Sequence, residues 1–419
     1  MKTSKLSEGL KGSEIIKIAG EVNALKAKGE IIYNQTIGDF DSSIFPIPKE
    51  LKQAIVSAYH NDHTNYPTAN GMEVLRETVS DYLDKNLGLV YSKDEILISG
   101  GARPLIYAIY QTVLDVEDTV LYPVPSWNND AYTYLARNKG VIVETLPEHK
   151  FMPTAEDLKP HLENVNLIAL CSPLNPTGTT FDKVTLTEIS QLVVAENKRR
   201  AELGIKPLYV LYDQIYWQLT YGTTVHYNPV ELVPEMRDYT IFVDGISKAF
   251  AATGVRVGWA FGPSHVINKM KAMLSHIGAW SPKAEQMATA AYLQQTQAVS
   301  NYLEQIKSAL NNRLNTFYKG FKLLKKEGFS VDAIEPQAAL YLTVQFDLVG
   351  KTTANGHKLN SIEEVTSYLL SQAKLAIVPF YAFGTSRTSN WFRLSVGTSK
   401  QEDIVTVFKL LKTALKELS

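Results

Sequence analysis

A single cysteine, Cys171, stands in a chain of 419 residues. One thiol excludes an intramolecular disulfide framework and a cysteine-based zinc site. Its setting, "NLIALCS" at 166–172, reads as a place for a small buried hydrophobe. No apolar run reaches the roughly 20 residues that a membrane helix needs. The opening stretch, "MKTSKLSEGLKGSEIIKIAG", is polar and helix-like and lacks the apolar centre of a secretory signal. A soluble, cytoplasmic protein is therefore expected. Neither sign of charge predominates: Lys plus Arg is 42, Asp plus Glu is 43, and the formal net charge is −1. Nothing in that balance draws the chain to nucleic acid or to an anionic membrane. Internal repeats and low-complexity linkers are also missing.

What the chain does have is 45% hydrophobic residues and enough length for more than one core. From about residue 50 the pattern is regular. Apolar runs recur at "EILIS" (95–99), "TVLYP" (119–123), "VIVETL" (141–146), "NLIALCS" (166–172), "LYVLYD" (208–213), "TIFVDG" (240–245) and "RVGWAFG" (256–262). Their length and turn-rich borders predict strands buried on both faces. Helical stretches between many of them predict an α/β fold with a mostly parallel, seven-stranded sheet covered by helices. A long helical region follows from about 283 to 327, with Gly328 placed to stop it. The last part alternates as an α+β pattern: "ALYLTVQF", a helix near 361–374, "LAIVPF", "WFRLSV" and a terminal helix. The expected division is a large domain over 51–290 and a smaller one from both ends, 1–50 and 291–419.

In open α/β sheets, ligands bind at the carboxyl ends of the strands, so the polar residues there matter most. Gly100-Gly101-Ala102-Arg103-Pro104 follows the first run and opens a helix, the arrangement that offers free N–H groups to a phosphate. Trp127 follows the second and offers a flat face for stacking. Asn175 sits in the rigid turn "SPLNPTG". Asp213 ends a strand, where a carboxylate needs a cation or donor, and Tyr216 lies three residues on. Ser247 and Lys248 end the sixth run; a lysine in an apolar cleft can lose basicity and act as a nucleophile. Arg256 stands between Gly254 and Gly258, and Arg393 sits inside the apolar strand "WFRLS", where it calls for an anion. Singly, each has an ordinary structural explanation. Together they supply what pyridoxal phosphate requires: a lysine, a carboxylate for its ring nitrogen, donors to its phenolic oxygen, a stacking platform and a cationic cup.

The pieces "NYPTANGMEVLRETVSDYL", "GGARP", "YPVPSW", "SPLNPTG", "YDQIYW", "SKAFAATGVRVGWA" and "WFRLSVG" resemble, in order and over most of the chain, the fold type I pyridoxal-phosphate aminotransferases of class I/II, the aspartate aminotransferase group. The resemblance implies transamination between an amino acid and a 2-oxo acid by a ping-pong mechanism (EC 2.6.1.-). It implies that Lys248 anchors the cofactor and moves the proton, that Asp213 pairs with the ring nitrogen, and that Asn175 and Tyr216 bond the phenolic oxygen. Trp127 would stack on the ring. Gly101, Ala102, Arg103, Ser247 and Arg256 would hold the phosphate. Tyr66, in "NYPTANG", matches a tyrosine that reaches the neighbouring subunit's phosphate, which implies a homodimer with shared active sites. Arg393, helped by the Gly38 backbone and with Trp127 and Asn175 beside it, would bind the substrate carboxylate.

Two departures matter. Many bacterial members carry Gly-Gly-Lys in the phosphate loop, and that lysine can bind a distal acid; here the position is Ala102, followed by Arg103. Ile246 stands before Ser247 where relatives often have a second serine. An aspartate/2-oxoglutarate enzyme is the first expectation. An aminotransferase for neutral or aromatic amino acids is the alternative. A carbon–sulfur lyase or a cyclopropane-carboxylate-type synthase would use the same cofactor kit. A ligand-sensing regulator of this fold would carry a further DNA-binding domain, for which no room exists before residue 30.

Overall fold

The computed structural model describes residues 3–10, 12 and 14–419. Seven strands form one sheet: β1 (Ile96–Ser99), β2 (Thr119–Val124), β3 (Lys139–Glu144), β4 (Leu167–Cys171), β5 (Tyr209–Asp213), β6 (Thr240–Gly245) and β7 (Gly258–Phe261). Their spatial order is β1-β7-β6-β5-β4-β2-β3. All neighbours are parallel except β7, which runs antiparallel to both β1 and β6. Each predicted run supplies one strand. The inner strands are buried on both faces, as β-branched runs between helices require. β3 differs: it is one of the two edge strands, most of it is exposed, and the expectation of burial on both faces fails there, whereas the other edge strand, β1, is fully buried. A run of valines and isoleucines does not reveal whether a helix or loop will cover its faces.

Two apolar layers sandwich this sheet. One side packs Leu97, Leu211, Ile241 and Val243 against the helix Ala102–Val113; the other packs Ile168, Tyr212, Phe242 and Trp259 against the helices Glu73–Leu87 and Lys183–Glu202. The predicted helix over 283–327 is two helices, Lys283–Leu293 and Thr296–Lys326, because Gln295 leaves helical geometry (φ −84°, ψ 69°). Gly328, at φ +94°, follows the second as expected.

The chain's last third builds a four-stranded antiparallel sheet in the order Val378–Pro379, Trp391–Ser395, Tyr341–Phe346, Val331–Ala333. Phe317, Phe321, Phe346 and Phe392 fill its core. The helix Ile362–Gln372 forms because Ser361 caps it and Ile362, Val365 and Leu369 recur on one face. The N-terminal segment joins this part: Tyr33–Asn34 pairs in parallel with Leu375–Ala376. That pairing carries residues 36–39 across the carboxyl ends of the large sheet, where the site lies.

Candidate functional site

At the end of β1, Gly101 takes φ +93°, open to glycine and strained for other residues. A Cβ there would stand 2.3 Å from Nη2 of Arg256. Arg256 fills that space, donating to the Gly100 carbonyl at 2.8 Å and the Thr253 carbonyl at 2.6 Å. Behind it, Gly258 backs onto the Gly101–Ala102 backbone, where a Cβ would approach within 2.6 Å. Three glycines and one arginine thus press the start of the helix Ala102–Val113 against the loop after β6. The free N–H groups of that helix start, Ser247 and Arg256 then face one cavity of about 610 Å³.

β6 ends in a single helical turn, Ile246–Ala249. Ile246 and Ala249 pack into the core, and Ser247 and Lys248 line the cavity. The Lys248 amine donates to the Gly38 carbonyl at 2.7 Å. Burial pulls its pKa down to about 8; Asp39 opposes this, and Arg393 and Arg103 reinforce it. Asp213, at the end of β5, accepts a 3.0 Å bond from the Ile215 N–H. Burial raises its carboxyl to about 6, against the pull of that N–H and of Lys248. The arginine ion pairs lie elsewhere, and among the described residues no lysine stands within ion-pair distance of Asp213. This carboxylate lacks the cation that its burial calls for. A protonated pyridine nitrogen would supply it, so the donor set fits pyridoxal phosphate.

Arg393 comes from the four-stranded sheet and is 2% exposed. Its Nη1 donates to Asn175 Oδ1 at 3.0 Å and its Nη2 to the Thr36 carbonyl at 2.5 Å. Its Nε has no partner among the described residues. The guanidinium stacks 4.7 Å from the Tyr341 ring centre and 4.9 Å from that of Phe383. Among the described residues no carboxylate neutralises it, which is the condition for binding one from outside. Tyr216 shares a 2.7 Å hydrogen bond with Tyr341, and burial raises both phenols. Half-buried Trp127 faces the cavity, and the Arg103 guanidinium lies 5.4 Å from its ring centre.

Lys248, Asp213, Tyr216, Ala102, Arg103, Trp127, Asn175, Ser247, Arg256, Gly38 and Arg393 therefore line one cavity, with Gly101 shaping its end at Arg256. Tyr66 does not join them within one chain. It is 81% exposed and packs edge-on against Trp280, 5.2 Å between ring centres. The cavity also takes residues that the sequence reading missed. Asp39 accepts from Thr253 at 2.7 Å, and Tyr341, Thr36 and Ile15 contribute further wall. Asp39 could have been found beside Gly38 in "TIGDF"; Tyr341, inside an apolar strand, carries no such signal. Cys171 is only partly a core residue: it lines the cavity floor, its thiol donates to the Pro173 carbonyl at 3.2 Å, and burial raises its pKa.

This geometry agrees with what is known of similar chains. The model of the family "Aminotransferase class I and II" matches residues 34–407. The aspartate aminotransferase of Bacillus subtilis strain 168 is 30% identical over 402 residues, 95% of either chain. The aspartate aminotransferase of Rhizobium meliloti superposes with a TM-score of 0.90 at 25% identity, covering all of both chains. The Thermus thermophilus aspartate aminotransferase with maleate does so at 0.87 and 25% identity, covering 99% of this chain and 100% of its own. The fold, the seven-stranded sheet and a cavity that wants both a ring nitrogen and a carboxylate converge on one conclusion: the chain belongs to the class I and II aminotransferases, pyridoxal-phosphate enzymes that pass an amino group between an amino acid and a 2-oxo acid.

Proposed function

We propose that the donor is an acidic amino acid, of the aspartate or glutamate type, with a 2-oxo diacid as acceptor. One observation carries the reading. Four cationic side chains line the cavity, Arg103, Lys248, Arg256 and Arg393, against two carboxylates, Asp39 and Asp213. Arg256 lies at the phosphate end and Arg393 waits for the α-carboxylate. Arg103 then remains as a cation without an acid partner, facing the same space from the wall it shares with Trp127. In the absence of a lysine at Ala102, Arg103 receives the distal carboxylate. The relative crystallised with maleate, itself a dicarboxylate, supports this reading.

The residues divide the work as follows. Lys248 anchors the cofactor, and Asp213 holds its ring nitrogen protonated. Bound there, pyridoxal phosphate would supply the electron sink for the pair left when the α-proton departs. With its pKa near 8, the freed Lys248 amine is in part neutral at physiological pH and accepts that proton. Asn175 and Tyr216 donate to the phenolic oxygen; Trp127 covers the ring; Ser247, Arg256 and the amides of Gly101, Ala102 and Arg103 hold the phosphate. Arg393, Asn175 and the Gly38 backbone place the substrate carboxylate. The chain works as two parts, 51–290 and the joined ends, which close over the substrate. It acts in the cytoplasm as a homodimer, in which exposed Tyr66 completes the partner's phosphate site. Among the described residues no helix is long and apolar enough to cross a membrane.

Steady-state kinetics of Arg103→Ala test the substrate class. The expected result is a fall in kcat/KM for aspartate of about a hundredfold, the loss of one charge-assisted contact, with alanine and phenylalanine little changed. An unchanged preference refutes it. The apolar side of the same mouth, Ile15, Ile37 and Ile106, favours neutral or aromatic donors instead, and that outcome would select them.

A further inference from the structure

Asp244 is 1% exposed and touches none of the cavity. Asp213 pairs with Val243 in the sheet, so Asp213 and Asp244 point to opposite faces. One carboxylate oxygen of Asp244 accepts from Trp217 Nε1 at 2.8 Å; the other accepts from the Gly245 N–H at 2.7 Å. Trp217 directly follows Tyr216. Gly245 opens the helical turn that carries Lys248, and it is pinned from behind, since a Cβ there would stand 2.8 Å from Val257 O and Gly258 Cα. Between β5 and β6 the last backbone bond runs from the Gln214 N–H to the Val243 carbonyl. Beyond it, the Asp244 carboxylate joins the two turns by hydrogen bonds, and at the cavity face the Lys248 amine lies 5.7 Å from the Tyr216 ring centre.

Among the described residues no cation offsets this buried acid. The groups facing it are Asp213 on the neighbouring strand, Gln214 and Trp217 on the turn, and Tyr82 on the helix Glu73–Leu87. His226 lies beyond Trp217, 6.3 Å between ring centres. Burial, with Asp213 adding to it, pushes the carboxyl up to about 8. An apolar side chain would fill this place at less cost in desolvation. What the carboxyl adds is two acceptors aimed at two turns.

We propose that Asp244 is a positioning residue: its buried carboxyl ties the turn bearing Tyr216 to the turn bearing Lys248 and holds those two groups in register at the cofactor. The inference rests on the cofactor roles proposed above for Lys248 and Tyr216. Misplacement of a reacting group by about 1 Å can cost on the order of a hundredfold in rate, so part of that loss is expected when the tie is cut.

The test compares holoenzymes of Trp217→Phe, which keeps a ring and removes the N–H, Asp244→Ala, their double variant, and Asp244→Asn, which keeps one acceptor. Three readouts are taken: kcat, KM for aspartate and 2-oxoglutarate, and the pH midpoint of the absorbance of pyridoxal phosphate attached at Lys248. Each single variant should lower kcat by about tenfold with KM nearly unchanged and move the midpoint. The double variant should lose about the same tenfold, not a hundredfold, because both changes cut one link. Asp244→Asn should fall between the wild type and Asp244→Ala. Single variants that lower Tm but leave kcat and midpoint at wild-type values overturn the proposal, as do losses that multiply. Should Asp244→Ala fail to fold, Trp217→Phe alone decides between the same outcomes. A wild-type protein that neither binds the cofactor nor transaminates sinks the functional reading instead.

Discussion

Replacing Lys248 with methionine should change the pH dependence of the apoprotein's stability in a calculable way. In the unfolded chain a lysine titrates near 10.5; in the cavity, burial lowers this to about 8. The folded state therefore binds fewer protons than the unfolded state between those values, and stability rises with pH across that window. Below about pH 8 the penalty for the buried charge is present in full; it fades as the pH climbs toward 10.5. From pH 8 to pH 9.5 the average difference is most of one proton, and at about 1.36 kcal/mol per pH unit this yields roughly 1 to 2 kcal/mol. Lys248→Met removes the group, so the wild type should gain about that much relative to the variant over the interval. Asp213, raised to about 6, has finished titrating before the interval begins. Denaturant unfolding of both apoproteins at the two pH values measures the difference, and groups common to both cancel. A difference that stays flat with pH would mean that Lys248 keeps an ordinary lysine pKa. It would then be too fully protonated to accept a proton at neutral pH.

Two further outcomes follow from the site. Arg393→Ala should lower kcat/KM for amino acids by about a hundredfold or more while the protein stays folded, since the guanidinium answers to no carboxylate of the chain; kinetics together with a thermal melt check both halves. Gly101→Ala should weaken cofactor binding by at least about tenfold, because φ +93° and the 2.3 Å approach to Arg256 force that arginine out of its place; titrating the apoprotein with pyridoxal phosphate reads it directly, and wild-type affinity would refute the argument.

Much of this was legible in the chain because strand ends announce themselves. A run such as "TIFVDG" stops where glycine begins, and the next polar residues, Ser247 and Lys248, fall at the sheet's carboxyl edge. Arg393 could be read as anomalous because a guanidinium inside "WFRLS" must be paid for by an anion. What stayed hidden depends on neighbours distant in sequence. Tyr341 looks like any strand aromatic until Tyr216 arrives from the other sheet. The exposure of β3 depends on what packs over its faces: β1 also has a single neighbouring strand, yet it is buried throughout. The break between Leu293 and Thr296 carries no glycine or proline to signal it.

The contacts that assemble the cavity also join the large sheet to the chain ends. Lys248 holds Gly38, Thr253 holds Asp39, Tyr216 holds Tyr341, and Arg393 holds both Asn175 and Thr36. Each bond crosses from residues 51–290 to the outer segments or, for Arg393, bridges the two. A substrate carboxylate that takes Nη1 and Nε of Arg393 must share or displace Asn175, and a cofactor on Lys248 must displace the Gly38 carbonyl. On the proposed roles of Lys248 and Arg393, ligands would enter by replacing links between the large sheet and the outer segments with links through themselves. Binding energy and the relative position of the parts are then one quantity, and residues 36–39, which bear three of these partners, should respond first when the cavity fills.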